Sequence, residues 1–243
     1  MPPFWVVYPT RSPDELWPTV VLVHGAWADG SSWGRVIAGL CRAGIPATAA
    51  PIPLTTLDDD VKAVERAIDR TEGPVILVGH AYAGGVVGAT RHPRLAGLVY
   101  VAALAPDQGE TVAEMFYRNP PHPCAPELKP DEQGWIWLPD SAFASAFAQH
   151  ATAEEHVVLA AVQRPIAVPC IQQPVPRPGW IDVPSWYLVA DEDRMISPAT
   201  QRFMAQRMKA NTSVLNADHV PMITKADFVT ALLTEVHARV ASP

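Results

Sequence analysis

Charged residues are scarce in this chain, at 18% of 243 residues, while 49% are apolar. The usual charged share is about 25%. So apolar and so long a sequence can bury a sizeable core, which excludes an intrinsically disordered protein. Net positive charge is also missing: the formal balance is −7 with a pI of 5.6. No nucleic-acid-binding footprint is therefore expected. There is no run of about 18 apolar residues, so no membrane span is expected. The first residues, MPPFWVVYPT, have neither a basic n-region nor a long apolar h-region. A secretory leader is thus not expected, and a cytoplasmic location is. Cysteine is limited to Cys41, Cys124 and Cys170, an odd and widely spaced set without CxxC. That excludes a disulfide framework and implies free thiols. His122, His150 and His156 lack metal-ligand spacing such as HExxH, so no metal site is expected. Neither GxGxxG nor GxxxxGK[ST] occurs, which disfavours dinucleotide and nucleotide binding; no cofactor is implied.

Proline, by contrast, is abundant. It fills 26 positions, 13 of them between Pro106 and Pro184. Proline removes a backbone donor and interrupts regular elements. That stretch should be irregular, with short helices, and the flanks should carry the regular fold. Phe4–Tyr8, Val20–His24, Ala47–Ala50, Val75–Val78, Leu98–Ala102, Trp186–Ala190 and Ser213–Leu215 read as strands. Ser32–Ala43, Leu57–Arg70, Ala199–Met208 and Ala226–Val240 read as helices. In the second of these, Leu57, Val61, Val64 and Ile68 share a face, with the charges opposite. Apolar strands alternating with amphipathic helices predict an α/β fold, a mostly parallel central sheet with helices on both faces. One domain spanning 1–243 is the economical reading, with a small cap inserted at about 107–180.

Ligands of open α/β sheets bind beyond the carboxyl ends of the strands, so the segments after each strand are the ones to inspect. After Val20–Val23 comes His24-Gly25-Ala26-Trp27, a small-residue turn able to point backbone N–H groups into a cavity. After Val75–Val78 comes Gly79-His80-Ala81-Tyr82-Ala83-Gly84-Gly85. Small residues on both sides of a sharp strand-to-helix turn are what a nucleophile elbow, G-x-S-x-G, needs. Here Ala81 replaces the serine and Ala83 the last glycine. The change at 83 is mild; that at 81 removes the attacking hydroxyl. After Trp186–Ala190 comes Asp191-Glu192-Asp193-Arg194, and after Ser213–Leu215 comes Ala217-Asp218-His219. A carboxylate just past a strand can orient a histidine and stabilise its charged form. The order elbow, Asp, His, each after a successive strand, is that of the α/β-hydrolase fold.

At these residues the chain resembles the α/β-hydrolase superfamily, and more narrowly its small esterase and hydroxynitrile-lyase-like branch, which includes plant methylesterases. The segments VVLVHGAWADGSSW (20–33), VILVGHAYAGG (75–85), GLVYVAALAPDQGE (97–110), SWYLVADEDRMISPATQRFMAQRM (185–208) and ADHVPMI (217–223) carry the likeness. The resemblance implies oxyanion-hole amides at Ala26 and Tyr82, an acid at Asp193 and a base at His219. The neighbours Asp191 and Asp218 are not assigned these roles. It places the nucleophile at position 81, where this chain has alanine.

Three accounts fit that alanine. A serine was exchanged to trap substrate in an otherwise competent esterase, or the site diverged naturally toward chemistry needing no nucleophile, or the pocket only binds. Loss of a triad nucleophile costs about 10⁶ in rate, whereas an oxyanion hole and binding alone leave roughly 10³–10⁴ over water. An Asp193–His219 dyad acting as general base is worth about 10²–10⁴. That is too little for fast ester hydrolysis but enough for proton abstraction next to a carbonyl, retro-aldol cleavage or ring closure. The expected activity is ester hydrolysis of EC 3.1 type in a serine-bearing form. The serine-less chain would be a lyase, isomerase or cyclase, or a non-catalytic binding scaffold.

The cap contains Phe116, Tyr117, Trp135, Trp137, Phe143, Phe147 and Trp180. Pockets are mainly apolar, so the expected partner is a small hydrophobic ester or carbonyl compound, with Trp27, Trp135 and Trp137 against it. His80 should lie under the elbow as a structural group. No nucleic acid or membrane partner is expected, and the chain should be a monomer or homodimer.

Overall fold

The computed structural model describes residues 16–242, so the strand expected at Phe4–Tyr8 lies outside the described residues. Strands β1 (Thr19–Val23) and β3 (Val75–His80) are buried along their whole length. A continuous aliphatic run of this kind forms a strand covered on both faces. With β2 (Ala47–Ala50), β4 (Leu95–Val101), β7 (Ser185–Ala190) and β8 (Asn211–Leu215) they make one sheet of order β2-β1-β3-β4-β7-β8. Every described pairing in it is parallel.

Helices follow from local signals. Helix α2 (Leu57–Asp69) starts where the Thr56 hydroxyl accepts the Asp59 N–H, and three aspartates fill its first turn. Both features complement the exposed amides and positive end of a helix. Asp29 caps a 3₁₀ turn at Gly30–Trp33, so α1 (Gly34–Arg42) begins two residues later than its apolar pattern suggests. It ends before Gly44, whose φ of 71° suits glycine.

The chain leaves β1 toward β2 through α1, then returns past β1 to β3 through α2 and runs on through α3 (Ala83–Ala89) to β4. Right-handed crossovers place α1 on one face and α2 and α3 on the other. The direction reverses between β1 and β3. That switch point, at the carboxyl ends of the two strands, is where open α/β sheets bind ligands.

Between β4 and β7 the proline-rich segment is built from short pieces. These are α4 (Val112–Phe116), the two-residue pair β5 (Trp135–Ile136) and β6 (Ile166–Ala167), α5 (Asp140–Ala142) running into a π turn at Phe143–Phe147, α6 (Ala153–Val162) and α7 (Val168–Gln172). Thr111 and Thr152 each start their helix with a reciprocal capping box. After β7 come α8 (Pro198–Arg207), the single turn α9 (Pro221–Thr224) and α10 (Ala226–Ala241), the last packed on α1. No helix among the described residues is long and apolar enough to cross a membrane.

Candidate active site

Strand β3 ends at His80, and the next residue, Ala81, has φ +50°. This left-handed conformation is costly for a residue with a Cβ and persists only where surroundings enforce it. The enforcement is visible. The Ala81 carbonyl accepts N–H bonds from Gly84 at 3.1 Å and Leu104 at 2.9 Å. A Cβ on Gly84 would lie 2.2 Å from the Leu104 oxygen, so only glycine lets α3 come this close to the chain leaving β4. The turn after β1 leans on the elbow in the same way: a Cβ on Gly25 would sit 2.9 Å from the Ala81 methyl.

A cavity opens beside that methyl. Ala26 and Tyr82 both line it, and neither N–H donates to an acceptor among the described residues. The turn carrying Ala26 is fixed through Trp27, whose φ is +58°. Its backbone N–H donates to the Arg164 carbonyl and its indole Nε1–H to the Ile136 carbonyl, each at 2.9 Å.

His219 lines the same cavity with its ring 2% exposed, and its Nδ1 lies 2.8 Å from Asp193 Oδ2. Asp193 sits just past β7 and is buried. Its Oδ1 accepts the Met195 and Ile196 N–H groups, and its Oδ2 accepts Gln201 Nε2–H as well as the His219 ring N–H. Every contact brings a donor, so the carboxylate acts purely as an acceptor and fixes the proton of His219 on Nδ1. That leaves Nε2 for the cavity. The flanking acids are engaged elsewhere: Asp191 pairs with Arg202, and Asp218 accepts the His150 N–H and the Thr224 hydroxyl.

His80 supports the base from below. Its Nε2–H donates to the His219 carbonyl at 2.7 Å, and the rings lie 4.8 Å apart. Burial, with the neighbouring His219 second, holds His80 well below the usual histidine range, so it stays neutral. Phe147 packs edge-on to the other side of His219 at 5.2 Å.

The cavity is narrow: empty space in and around it, open solvent at its mouth counted, amounts to about 550 Å³. Apart from the amides and His219 its wall is hydrocarbon, chiefly Leu128, Ile136, Ile166, Ile171 and Ile196, with Phe116 and Tyr117 from α4. Among the described residues no charged side chain lines it. Trp27 is part of the wall, but Trp135 and Trp137 are not. They border a separate surface hollow with Pro53 and Gln163, and Trp137 is 51% exposed. The reason is strand periodicity: on β5 the side chain of Ile136 points inward, so its neighbours on each side point away.

A further buried group belongs to this region and was not legible as such. Asp60, counted among the solvent-facing charges of α2, is fully buried, and its Oδ2 accepts the Tyr82 phenol at 2.7 Å. Position 60 falls three residues after Leu57 and four before Val64, within the apolar stripe; that spacing was the signal available. Among the described residues no cluster of three or more His, Cys, Asp or Glu side chains could hold a metal, and the three cysteines are free.

Comparison with known proteins agrees with this architecture. Probable hydrolase R7 from Phoma sp. (strain ATCC 20986 / MF5453) is 24% identical over 84% of this chain and 91% of its own length. Polyneuridine aldehyde esterase superposes with a TM-score of 0.78 at 17% identity, covering 90% of this chain and 99% of that one. A histidine-to-alanine variant of tomato methylketone synthase I gives 0.78 at 16% identity, covering 92% and 99%. The sequence model described as "Alpha/beta hydrolase family" matches residues 20–232, and this chain belongs to that family.

Proposed function

We propose that this chain catalyses a carbonyl reaction that passes through an enolate, with a β-keto carboxylate bearing an apolar tail as the substrate class. One observation carries the reading: His219, held by buried Asp193, and two residues whose amides have no acceptor among the described residues share a cavity with a methyl group, not a nucleophile. Such a site cannot form an acyl-enzyme, but it retains what enolate chemistry requires. When the bond between the α-carbon and the carboxylate breaks, its electron pair passes into the ketone, whose oxygen becomes an enolate. The Ala26 and Tyr82 N–H groups are positioned to hold that oxygen. His219 Nε2, bare at rest, takes up a proton from solvent and passes it to the α-carbon, Asp193 stabilising the charged ring in between, and ketone and carbon dioxide leave.

The wall of the cavity favours the same step. A carboxylate entering it gives up water and finds no cation, whereas carbon dioxide is neutral and loses nothing there. The structure of the tomato methylketone synthase I variant, which shares this fold, was obtained as a complex with beta-ketoheptanoate. The test is to incubate the purified chain with beta-ketoheptanoate and follow hexan-2-one above the buffer background. His219→Ala should lower kcat by about 10²–10⁴. No acceleration by the unaltered chain, or equal acceleration by the alanine variant, removes the proposal.

The second reading is an ester hydrolase whose serine is exchanged at 81. The elbow favours it, because φ +50° at Ala81 is the strained conformation a nucleophile occupies. On that reading Ala81→Ser shows an acyl-enzyme burst with p-nitrophenyl butyrate, and the unaltered chain turns over no β-keto acid.

A further inference from the structure

Tyr82 faces two ways. The residue lines the cavity, and its side chain, 3% exposed, reaches helix α2. There the phenol O–H donates to Asp60 Oδ2 at 2.7 Å. Asp60 stands in the first turn of α2 with no solvent exposure, and its Oδ1 accepts the Leu54 N–H at 2.7 Å. Leu54 has φ +62°, so this bond holds a strained turn. Cys170, on α7, points its thiol at the same Oδ2 from 3.8 Å. The carboxylate thus gathers three segments and is not itself among the residues that line the cavity.

We propose that Asp60 is a positioning residue of the oxyanion site, which fixes the direction of the Tyr82 N–H by anchoring the phenol of the same residue. The inference rests on the proposed carbonyl-oxygen site for its use, but the anchoring itself is independent of any substrate. A phenol ring is rigid beyond two torsions, so pinning its oxygen restricts the backbone from which it springs. Position 82 is also the residue before α3, where no side-chain cap holds the turn.

The groups facing Asp60 are the Tyr82 phenol from the elbow, the Cys170 thiol from α7, and Asp59 from its own helix. Burial first, and the Asp60 charge next, push Tyr82 well above its usual range and Cys170 up to about 12. Both therefore remain donors at neutral pH. Burial lifts Asp60 itself to about 6 against the opposing pull of those hydrogen bonds. Above that pH the carboxylate accepts the phenol. Below it the carboxyl carries its own proton on Oδ2, since Oδ1 is held as acceptor of the Leu54 N–H, and the phenol must turn from donor to acceptor.

The experiment is backbone amide NMR of the full chain between pH 5 and 7.5. The residue 82 amide should titrate with a midpoint near 6. The titration should vanish in Asp60→Asn and in Tyr82→Phe, and survive in His219→Ala, which excludes the cavity histidine as its source. A pH-invariant residue 82 amide, or a titration persisting in folded Asp60→Asn, overturns the proposal. Should Asp60→Asn fail to fold, Tyr82→Phe decides alone. A second arm uses heptane-2,4-dione as an enolisable probe at pH 7.5, with heptane as the apolar control. Loss of one positioned hydrogen bond should weaken dione binding to Asp60→Asn about fivefold and leave heptane unchanged. Equal weakening of both ligands contradicts positioning. A dione that does not bind the unaltered chain overturns the carbonyl-site reading, and the amide titration then decides the positioning role.

Discussion

Four donors converge on the two oxygens of Asp193, which makes asparagine an informative replacement. One side of the new amide is itself a donor. It must face either the Met195 and Ile196 N–H groups or the Gln201 and His219 donors, and neither pair can accept. If the oxygen keeps the backbone donors, the His219 ring changes tautomer and Nε2 carries the proton. A neutral ring is a far weaker acid than the charged ring that the Asp193 carboxylate stabilises, so Asp193→Asn should lower kcat for beta-ketoheptanoate by about 10²–10⁴ while the circular dichroism stays native. Full activity in that variant would remove Asp193 from the chemistry. Asp193 and His219 were legible in the sequence because each lies within four residues of the end of a strand, where an α/β sheet presents its functional groups. Asp60 was not, because a carboxylate on an amphipathic helix is ordinarily read as solvent-facing. Its burial depends on Tyr82, 22 positions later, meeting it in space.

The same contrast recurs among the elements. Among the described residues, strands and long helices in the flanks were legible from aliphatic runs, caps and periodicity, and their ends shift by only a few residues. The proline-rich segment was legible only as irregular. A two-residue strand such as β5 carries too few positions to reveal which side faces inward, and so Trp135 and Trp137 were expected in the cavity where Ile136 stands. That correction is testable. Trp137→Ala should change stability by no more than about 0.5 kcal/mol and leave turnover as it was. Trp27→Phe should behave differently, because the indole joins the oxyanion turn to the Ile136 carbonyl. The ring volume is partly kept, but a buried carbonyl loses its donor, at a cost of about 1–3 kcal/mol. Urea unfolding checks the stability, and a fall in kcat larger than any rise in KM would show that the turn has lost its aim. Gly84→Ala probes the other side of the site. Its new methyl would meet the Leu104 oxygen at 2.2 Å, so a loss of at least about 1–3 kcal/mol is expected in the same assay.

Across the whole molecule, the buried titratable groups behind the elbow pull stability in opposite directions as pH changes. Burial lowers His24 to about 4, and His80 shifts the same way. A histidine held below its unfolded value of 6.5 contributes stability that is present above pH 6.5 and lost as pH falls through 4. Asp60 does the reverse. Lifted from 3.8 to about 6, it contributes stability that is fully present below 3.8 and lost as pH rises through 6. Each shift of roughly two units corresponds to about 3 kcal/mol. The two windows overlap between pH 4 and 6, so the unaltered chain masks much of either effect. Asp60→Asn removes one side of the balance. As pH falls from 7 to 4.5 the variant should lose stability more steeply, and the advantage of the unaltered chain over it should widen by about 2–3 kcal/mol. Replacing His24 by asparagine should tilt the slope the other way. Urea unfolding of the three proteins at pH 4.5, 5.5 and 7 resolves these differences. Parallel curves would mean that neither group changes its proton affinity on folding, and that the fold excludes water from this region less completely than the burial of His24, His80 and Asp60 requires.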